Sequence, residues 1–359
     1  MINVTKTYLP DREKYKKYVD DIFDSGWLTN NGKMVQKLQG DLEQYLGVKN
    51  LLLVSNGTLA LQVAYKILDL KGEIITTPYS FVATTSSIVW EGLTPKFVDI
   101  DEQTLCLNPQ NIEDLITENT SAIVATHVYG NVCDVEKIQE IADSKNLRVI
   151  YDAAHAFGVK YKDQSVLNYG DISILSFHST KVFHTIEGGA LIIPDDNLFN
   201  KAKKMINFGI EGPEVISELG INAKMNEFQA AMGLCMLDDI DEIIKKRQDV
   251  FNSYLEAFYM EPNVKVLSFP ENSSQNYSYF PVIFQTESLL KRVIERLHQI
   301  DVNPRRYFYP SLDTLDYVES DFKEISNSIS DRVLCLPLYD SLSSIDQRRI
   351  IHTIKEAIY

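Results

Sequence analysis

Lys181, in the stretch Ser176–Leu191 ("SFHSTKVFHTIEGGAL"), carries a side chain that can hold a carbonyl compound covalently. That chemistry needs an uncharged amine, and so a lysine that is buried or set beside another cation. The competing reading is an ordinary solvated surface charge. Asp152, in "VIYDAAHAFG", directly follows a hydrophobic run. A carboxylate there is costly to bury unless it is paired. A protonated ring nitrogen of a cofactor is one suitable partner, because each stabilises the other's charged form. A cap on the following turn is the alternative. Ser55-Asn56-Gly57-Thr58 joins a strand pattern to a helix pattern. Gly57 lets main-chain N–H groups approach an anion, the helix start adds partial positive charge, and Thr58 adds a hydroxyl. Those features suit a phosphate, and a plain helix cap fits the same residues. Phe81, in "YSFVATT", can stack on a flat ring or fill the core. A phosphate site, a carboxylate and a lysine converging on one aromatic ring is the arrangement pyridoxal phosphate requires.

These residues meet only if the chain presents them along one edge of a sheet. Leu51–Val54, "EIITTP", "TPKFVDID", "SAIVATHVYG", "LRVIYDAAHAFG", "GDISILSFHSTK" and "EGGALIIP" read as strands. The segment from about Thr58, "SFVATTSSIVWEG", "NIEDLI" and "DVEKIQEIADSKN" read as helices between them. Apolar runs alternating with amphipathic helices predict an α/β fold with a mainly parallel sheet covered on both faces. In such a sheet ligands bind beyond the carboxyl ends of the strands, where Asp152, Lys181 and the Ser55–Thr58 turn fall. The N-terminal part reads as short polar elements and the loop Ser25–Gly32 ("SGWLTNNG"). From about Asn197 the chain reads as helical through "FQAAMGLCMLDDIDEIIKKRQDVFNSYLEAF". The C-terminal part mixes strands and helices and reads as a smaller α+β unit. The expected division is a large domain over 1–240 and a small one over 241–359.

The bulk properties narrow the function further. The chain has 359 residues, 45% hydrophobic and 24% charged, enough for a sizeable core. Its 35 basic against 50 acidic residues give a net charge of −15, which repels nucleic acid and anionic membrane. Any anionic substrate must be held by local donors. Cys106, Cys133, Cys235 and Cys335 lie in apolar contexts with no CxxC pair, as buried free thiols of a reducing, cytoplasmic compartment would. No signal-peptide core and no run long enough to span a bilayer is present. His127, His155, His178 and His184 lack metal-ligand spacing, and no GxSxG elbow presents a serine, so no metal and no hydrolase site is expected.

With these motifs assembled, the chain resembles the DegT/DnrJ/StrS family of nucleotide-sugar aminotransferases. The resemblance runs from "SGWLTNNGKMVQKLQGDLEQYLGVKNLLLVSNGTLAL" to "VLCLPLYDSLS". Its most specific parts are "DAAHAFG", "SFHSTKVFHTIEGGAL" and "LGINAKMNEFQAAMG" in that order. It implies a fold-type I enzyme with a seven-stranded, mainly parallel sheet, pyridoxal phosphate as cofactor, and a homodimer with shared active sites. It makes Lys181 the covalent anchor and proton carrier, Asp152 the partner of the ring nitrogen, and Phe81 the stacking aromatic. His155 falls near the ring and its 3-oxygen. Gly57, Thr58 and Ser176 match the phosphate-binding positions, and Asn222 matches an asparagine that reaches the phosphate from the neighbouring subunit. Thr29, Asn30, His184, Tyr307 and Tyr309 are the candidates for substrate contact, with a structural hydrogen bond as the alternative for His184. Arg305 and Arg306 in "NPRRYFYP" are donors to a diphosphate or, alternatively, residues of a solvated loop. Two positions depart from the family's wording: Lys224 stands where arginine is usual, and "ATTSS" where "ATANA" is common. The implied reaction passes an amino group from L-glutamate to a nucleotide-linked keto sugar. The wording around Lys181 is similar to members that aminate C4 of a dTDP-4-keto-6-deoxyhexose to give dTDP-4-amino-4,6-dideoxyglucose for a surface or O-antigen sugar. A C3-aminating member, a dehydratase with histidine in place of Lys181, and a non-catalytic regulator are the other readings.

Overall fold

The computed structural model describes residues 1–359. Two 14-residue helices, α1 (Arg12–Ser25) and α2 (Lys33–Leu46), occupy the segment expected to hold only short polar elements. Helix α1 is rich in charge and buries only Ile22, so its apolar periodicity is faint, whereas α2 buries Met34, Val35, Leu38, Leu42 and Leu46 at helical spacing. Asp11 caps α1 by accepting the Lys14 N–H at 3.0 Å. No side chain of its own caps α2, which starts after Gly32.

The central sheet has seven strands: β1 (Leu51–Val54), β2 (Glu73–Thr76), β3 (Thr94–Phe97), β4 (Thr120–Thr126), β5 (Arg148–Asp152), β6 (Ile172–Ser176) and β7 (Gly189–Ile192). Their spatial order is β1-β7-β6-β5-β4-β2-β3. Only β7 runs antiparallel to its neighbours. Side chains alternate between faces along each strand, so Leu51 and Leu53 enter one core while Leu52 and Val54 enter another. Both faces are therefore apolar, as a buried parallel sheet requires. Helices α3 (Gly57–Ile67), α4 (Ala83–Trp90), α5 (Val135–Lys145) and α6 (Asp196–Met205) follow. "NIEDLI" forms not the expected helix but the short 3₁₀ turns Pro109–Asn111 and Glu113–Leu115. The segment is too short to offset helix nucleation.

After α6 a hairpin of Ile210–Gly212 and Val215–Ile216 interrupts the expected helical run. Then α7 (Glu227–Phe258) extends over 32 residues, opened by a capping box between Asn226 and Gln229. Residue 240, the expected boundary, falls inside this continuous helix. Beyond it, Val250–Phe258 joins a separate core with the antiparallel strands β8 (Val264–Val266), β9 (Phe280–Phe284) and β10 (Val333–Leu336). Helices α8 (Glu287–Gln299), α9 (Glu324–Arg332) and α10 (Ser344–Ile358) complete this part. The N-terminal residues Ile2–Asn3 pair with Val302–Asn303, so the chain start belongs to it too. All four cysteines are buried and free. No helix is long and apolar enough to cross a membrane.

Candidate active site

A cavity of about 310 Å³ opens where the carboxyl ends of the central strands meet the C-terminal part. At one end lies the start of α3. Asn56 caps that helix by accepting the Leu59 N–H at 2.8 Å. The N–H groups of Gly57 and Thr58 have no partner inside the helix and remain free for an anion. Ser176, the last residue of β6, stands opposite. A Cβ built on Gly57 would lie 3.0 Å from the Ser176 Cβ, so glycine keeps this cradle open. Gly189 pairs with both Ser176 and Val54, and a Cβ there would lie 2.7 Å from the Asn56 carbonyl carbon. The two glycines let three stretches of backbone close around one small space.

The floor holds Asp152 and Lys181. Asp152 ends β5 and is 5% exposed. One oxygen accepts the Ala154 N–H at 3.1 Å, and the other accepts the Thr84 hydroxyl at 2.7 Å. Burial pushes its carboxyl up, while Thr84, the Ala154 N–H and the Lys181 charge pull it back. Lys181 follows β6, and its Nζ forms no hydrogen bond or ion pair. Burial pushes this amine down to about 8, with Asp152 opposing the shift. A free amine is thus within reach near neutral pH, which a solvated lysine would not offer.

One wall is aromatic. His155 Nδ1 accepts the Tyr129 N–H at 3.2 Å, which leaves the ring proton on Nε2. Burial, and then the Lys181 charge, hold His155 well below the ordinary histidine value, so it is neutral. Phe308 stacks on its ring at 5.6 Å and Tyr279 meets it edge-on at 5.0 Å. The His155 carbonyl accepts bonds from Asn276 at 2.8 Å and Ser278 at 2.9 Å. Arg247 of α7 in turn donates to the carbonyls of Tyr277 and Ser278. The wall is therefore fixed by residues from both parts of the chain. Phe81, half-exposed, lines the cavity with Ser80 and Ala83.

The mouth carries His178, Thr180, Glu187, Arg305 and Tyr307. His178 Nδ1 shares a proton with the Thr180 hydroxyl at 2.8 Å, and its Nε2 lies 3.6 Å from Glu187. The two neighbouring arginines differ in role. Arg306 donates to the Ser330 carbonyl at 3.1 Å, lies 3.5 Å from Glu287 and from Asp331, and stacks on Tyr309. Arg305 has no carboxylate partner and lies over the Tyr307 ring at the cavity.

Of the residues expected from sequence, Gly57, Thr58, Phe81, Asp152, His155, Ser176, Lys181, Arg305 and Tyr307 line this one cavity. Six do not, among them Arg306, which is held by the partners just named. His184 is a correction: it is 1% exposed, and its Nε2 bonds the Tyr8 carbonyl at 2.9 Å, pinning the N-terminal segment rather than facing a substrate. Tyr309 turns outward under the Arg306 guanidinium. Thr29 and Asn30 sit on an outer loop whose Asn30 carbonyl accepts the Trp27 indole N–H at 2.8 Å. Asn222 is exposed beside the hairpin, its backbone bridged to Asn207. Sequence reading missed Ser80, Thr84 and Thr126, which gather around Asp152, and Tyr279 and Phe308 on the wall. Thr84 lies in the quoted "ATTSS", where a polar residue on a buried face is a usable signal. Nothing local marks Tyr279 or Phe308.

The donor set fits pyridoxal phosphate: an open anion cradle at a helix start, a buried carboxylate, an unpaired low-pKa amine and a flanking aromatic. The DegT/DnrJ/EryC1/StrS aminotransferase family matches residues 10–355. The dTDP-4-amino-4,6-dideoxy-D-glucose transaminase of Shigella dysenteriae is 42% identical over 361 residues, 99% of this chain and 98% of that one. The Escherichia coli protein of the same name is 39% identical over 95% of each. The crystal structure of DesI in the presence of its TDP-sugar product superposes with a TM-score of 0.94 at 31% identity, covering 99% of this chain and 93% of that one. The chain therefore belongs to the DegT/DnrJ/EryC1/StrS aminotransferases and depends on pyridoxal phosphate.

Proposed function

We propose that this enzyme moves the amino group of L-glutamate to C4 of dTDP-4-keto-6-deoxy-D-glucose, yielding 2-oxoglutarate and dTDP-4-amino-4,6-dideoxy-D-glucose. The unpaired amine of Lys181, pushed down to about 8 beside a buried carboxylate and a free helix start, carries the reading. The 42% identity to a transaminase of that name supports the choice of sugar.

When bound, pyridoxal phosphate supplies the electron sink that lets a proton leave the donor's α-carbon. The N–H groups of Gly57 and Thr58, with the hydroxyls of Thr58 and Ser176, hold its phosphate. Asp152 holds a proton on the ring nitrogen, and neutral His155 offers its Nε2–H to the ring oxygen. Lys181 Nζ is the anchor, then takes the proton from the donor's α-carbon and returns one to the sugar carbon. An amine titrating near 8 is suited to both directions. Below that value it keeps its proton and cannot act as base; above it the free amine dominates. Phe81, Tyr279, Tyr307 and Phe308, which line the cavity, would limit water at the ring. Arg305, with no carboxylate of its own, is the donor for an anionic substrate group.

The dimer reading is supported by the hairpin region, where Ile216 is 73% and Leu219 80% exposed beside Phe208 and Val215. Such a patch is costly to leave in water, and Asn222 lies at its edge.

The test is to incubate the enzyme with ¹⁵N-glutamate and a panel of nucleotide-linked keto sugars, then locate nitrogen in the products by NMR. Label at C4 of the dTDP-linked 6-deoxyglucose supports the proposal. Label at C3, or turnover only with another nucleotide sugar, overturns it.

A further inference from the structure

Asp152 is buried without a full ion pair, and what surrounds it is ordered in one direction. Oδ2 accepts the Thr84 hydroxyl at 2.7 Å. Thr84 Oγ1 lies 2.8 Å from Ser80 Oγ, and Thr126 Oγ1 lies 3.2 Å from Ser80 Oγ. A hydroxyl has one proton to give. Thr84 gives its proton to Asp152, so the proton between Ser80 and Thr84 belongs to Ser80. Ser80 must then receive the proton of Thr126. All three bonds point at the carboxylate, and each polarises the next. Reversing the row would require a proton on Asp152, so the direction of the row and the charge of the carboxylate are a single choice.

The row is built from three elements. Thr126 ends β4 and pairs in register with Asp152 of β5, Ser80 lies in the loop after β2, and Thr84 sits in the first turn of α4. Thr84, which donates directly to Asp152, is 0% exposed and does not line the cavity, so water does not replace it; Ser80 and Thr126, 2% and 1% exposed, border the cavity. The titratable groups facing Asp152 from other elements are Lys181 and the buried Tyr65 hydroxyl of α3.

We propose that Thr126, Ser80 and Thr84 form a directional hydroxyl row that keeps Asp152 ionised, and so keeps the proton on the cofactor's ring nitrogen. They are positioning residues acting through Asp152. The inference rests on Asp152 being the partner of that nitrogen. Removing a donor makes Asp152 more basic, draws the ring proton toward it and lowers the positive charge of the ring. A less positive ring lets the Lys181-linked nitrogen hold its own proton to higher pH. The pH midpoint of the visible absorption band then rises.

The experiment titrates that band in the holoenzyme and measures pyridoxal phosphate affinity of the apoprotein for Thr84→Val, Ser80→Ala, Thr126→Val and Thr84→Ser. Thr84→Val should raise the midpoint by about one pH unit and weaken apoprotein affinity roughly 10-fold. Ser80→Ala should shift it by less and Thr126→Val least, while Thr84→Ser, which keeps the hydroxyl, should titrate as wild type. Wild-type midpoints in both Thr84→Val and Ser80→Ala would overturn the inference, as would a Thr126→Val shift equal to that of Thr84→Val. Asp152→Asn separates the two layers: an unmoved midpoint there removes the pairing of Asp152 with the ring, not merely the hydroxyl row.

Discussion

The depressed value of Lys181 makes covalent capture of the cofactor aldehyde by the apoprotein strongly pH-dependent, with a midpoint far from that of a surface lysine. Only the free amine attacks an aldehyde. A lysine at the ordinary 10.5 leaves roughly 0.03% free amine near pH 7, whereas one at about 8 leaves roughly 9%. The ratio is on the order of 300-fold in capture rate at equal nucleophilicity. The sign follows from the cause. Burial penalises the ammonium, so the proton leaves at lower pH, and the rate climbs about tenfold per pH unit until it levels off near 8. Asp152 opposes that shift, so Asp152→Asn should move the plateau to lower pH. Stopped-flow mixing of apoprotein with pyridoxal phosphate across the pH range, followed at the visible band, reads both effects. A rate that keeps rising past pH 10, or a plateau unmoved in Asp152→Asn, would refute the reasoning about burial and charge at this site.

Three further outcomes follow from the geometry. Glu227, 2% exposed in the first turn of α7, accepts N–H bonds from Gly32, Met34 and Val35 at 3.0, 2.8 and 3.2 Å, and so caps the otherwise uncapped α2. Glu227→Ala should cost about 2–4 kcal/mol, with hydrogen exchange rising first over residues 27–35; an unchanged melting point would contradict that role. Gly189→Ala should weaken cofactor affinity far more than it lowers stability, because its methyl presses on the Asn56 carbonyl carbon; wild-type affinity by equilibrium titration would count against the cradle. Arg305→Gln should raise KM for an anionic substrate roughly 10- to 100-fold with little change in melting point, whereas Arg306→Gln should lower the melting point and spare KM. Equal effects of the two changes would erase the distinction.

Much of the fold was legible because the strands of a sheet buried on both faces are written as uninterrupted apolar runs, from Leu51–Val54 to Gly189–Ile192. The residues just beyond those runs, Gly57, Thr58, Asp152, Ser176 and Lys181, were legible for the same reason: they mark the strands' carboxyl ends. Helix α1 was not, since it buries only Ile22 and its pattern carries little apolar signal, whereas α2 does carry a helical stripe in Met34, Leu38, Leu42 and Leu46. Tyr279 and Phe308 reach the cavity only through the packing of the C-terminal part on the sheet, and no local spacing encodes that. Ser80, Thr84 and Thr126 read as ordinary small polar residues until three separate elements bring their hydroxyls into line with Asp152. His184 shows the converse. It lies only three residues after Lys181, but its ring is buried, and its Nε2 is taken by the Tyr8 carbonyl.

Borohydride reduction of the holoenzyme, followed by peptide mapping with mass spectrometry, tests whether Lys181 is the covalent anchor of pyridoxal phosphate in this cavity. The expected result is a single pyridoxyl-modified peptide with the added mass on Lys181, absent in Lys181→Arg. Modification at another lysine, or none in protein that retains the visible band, would contradict it.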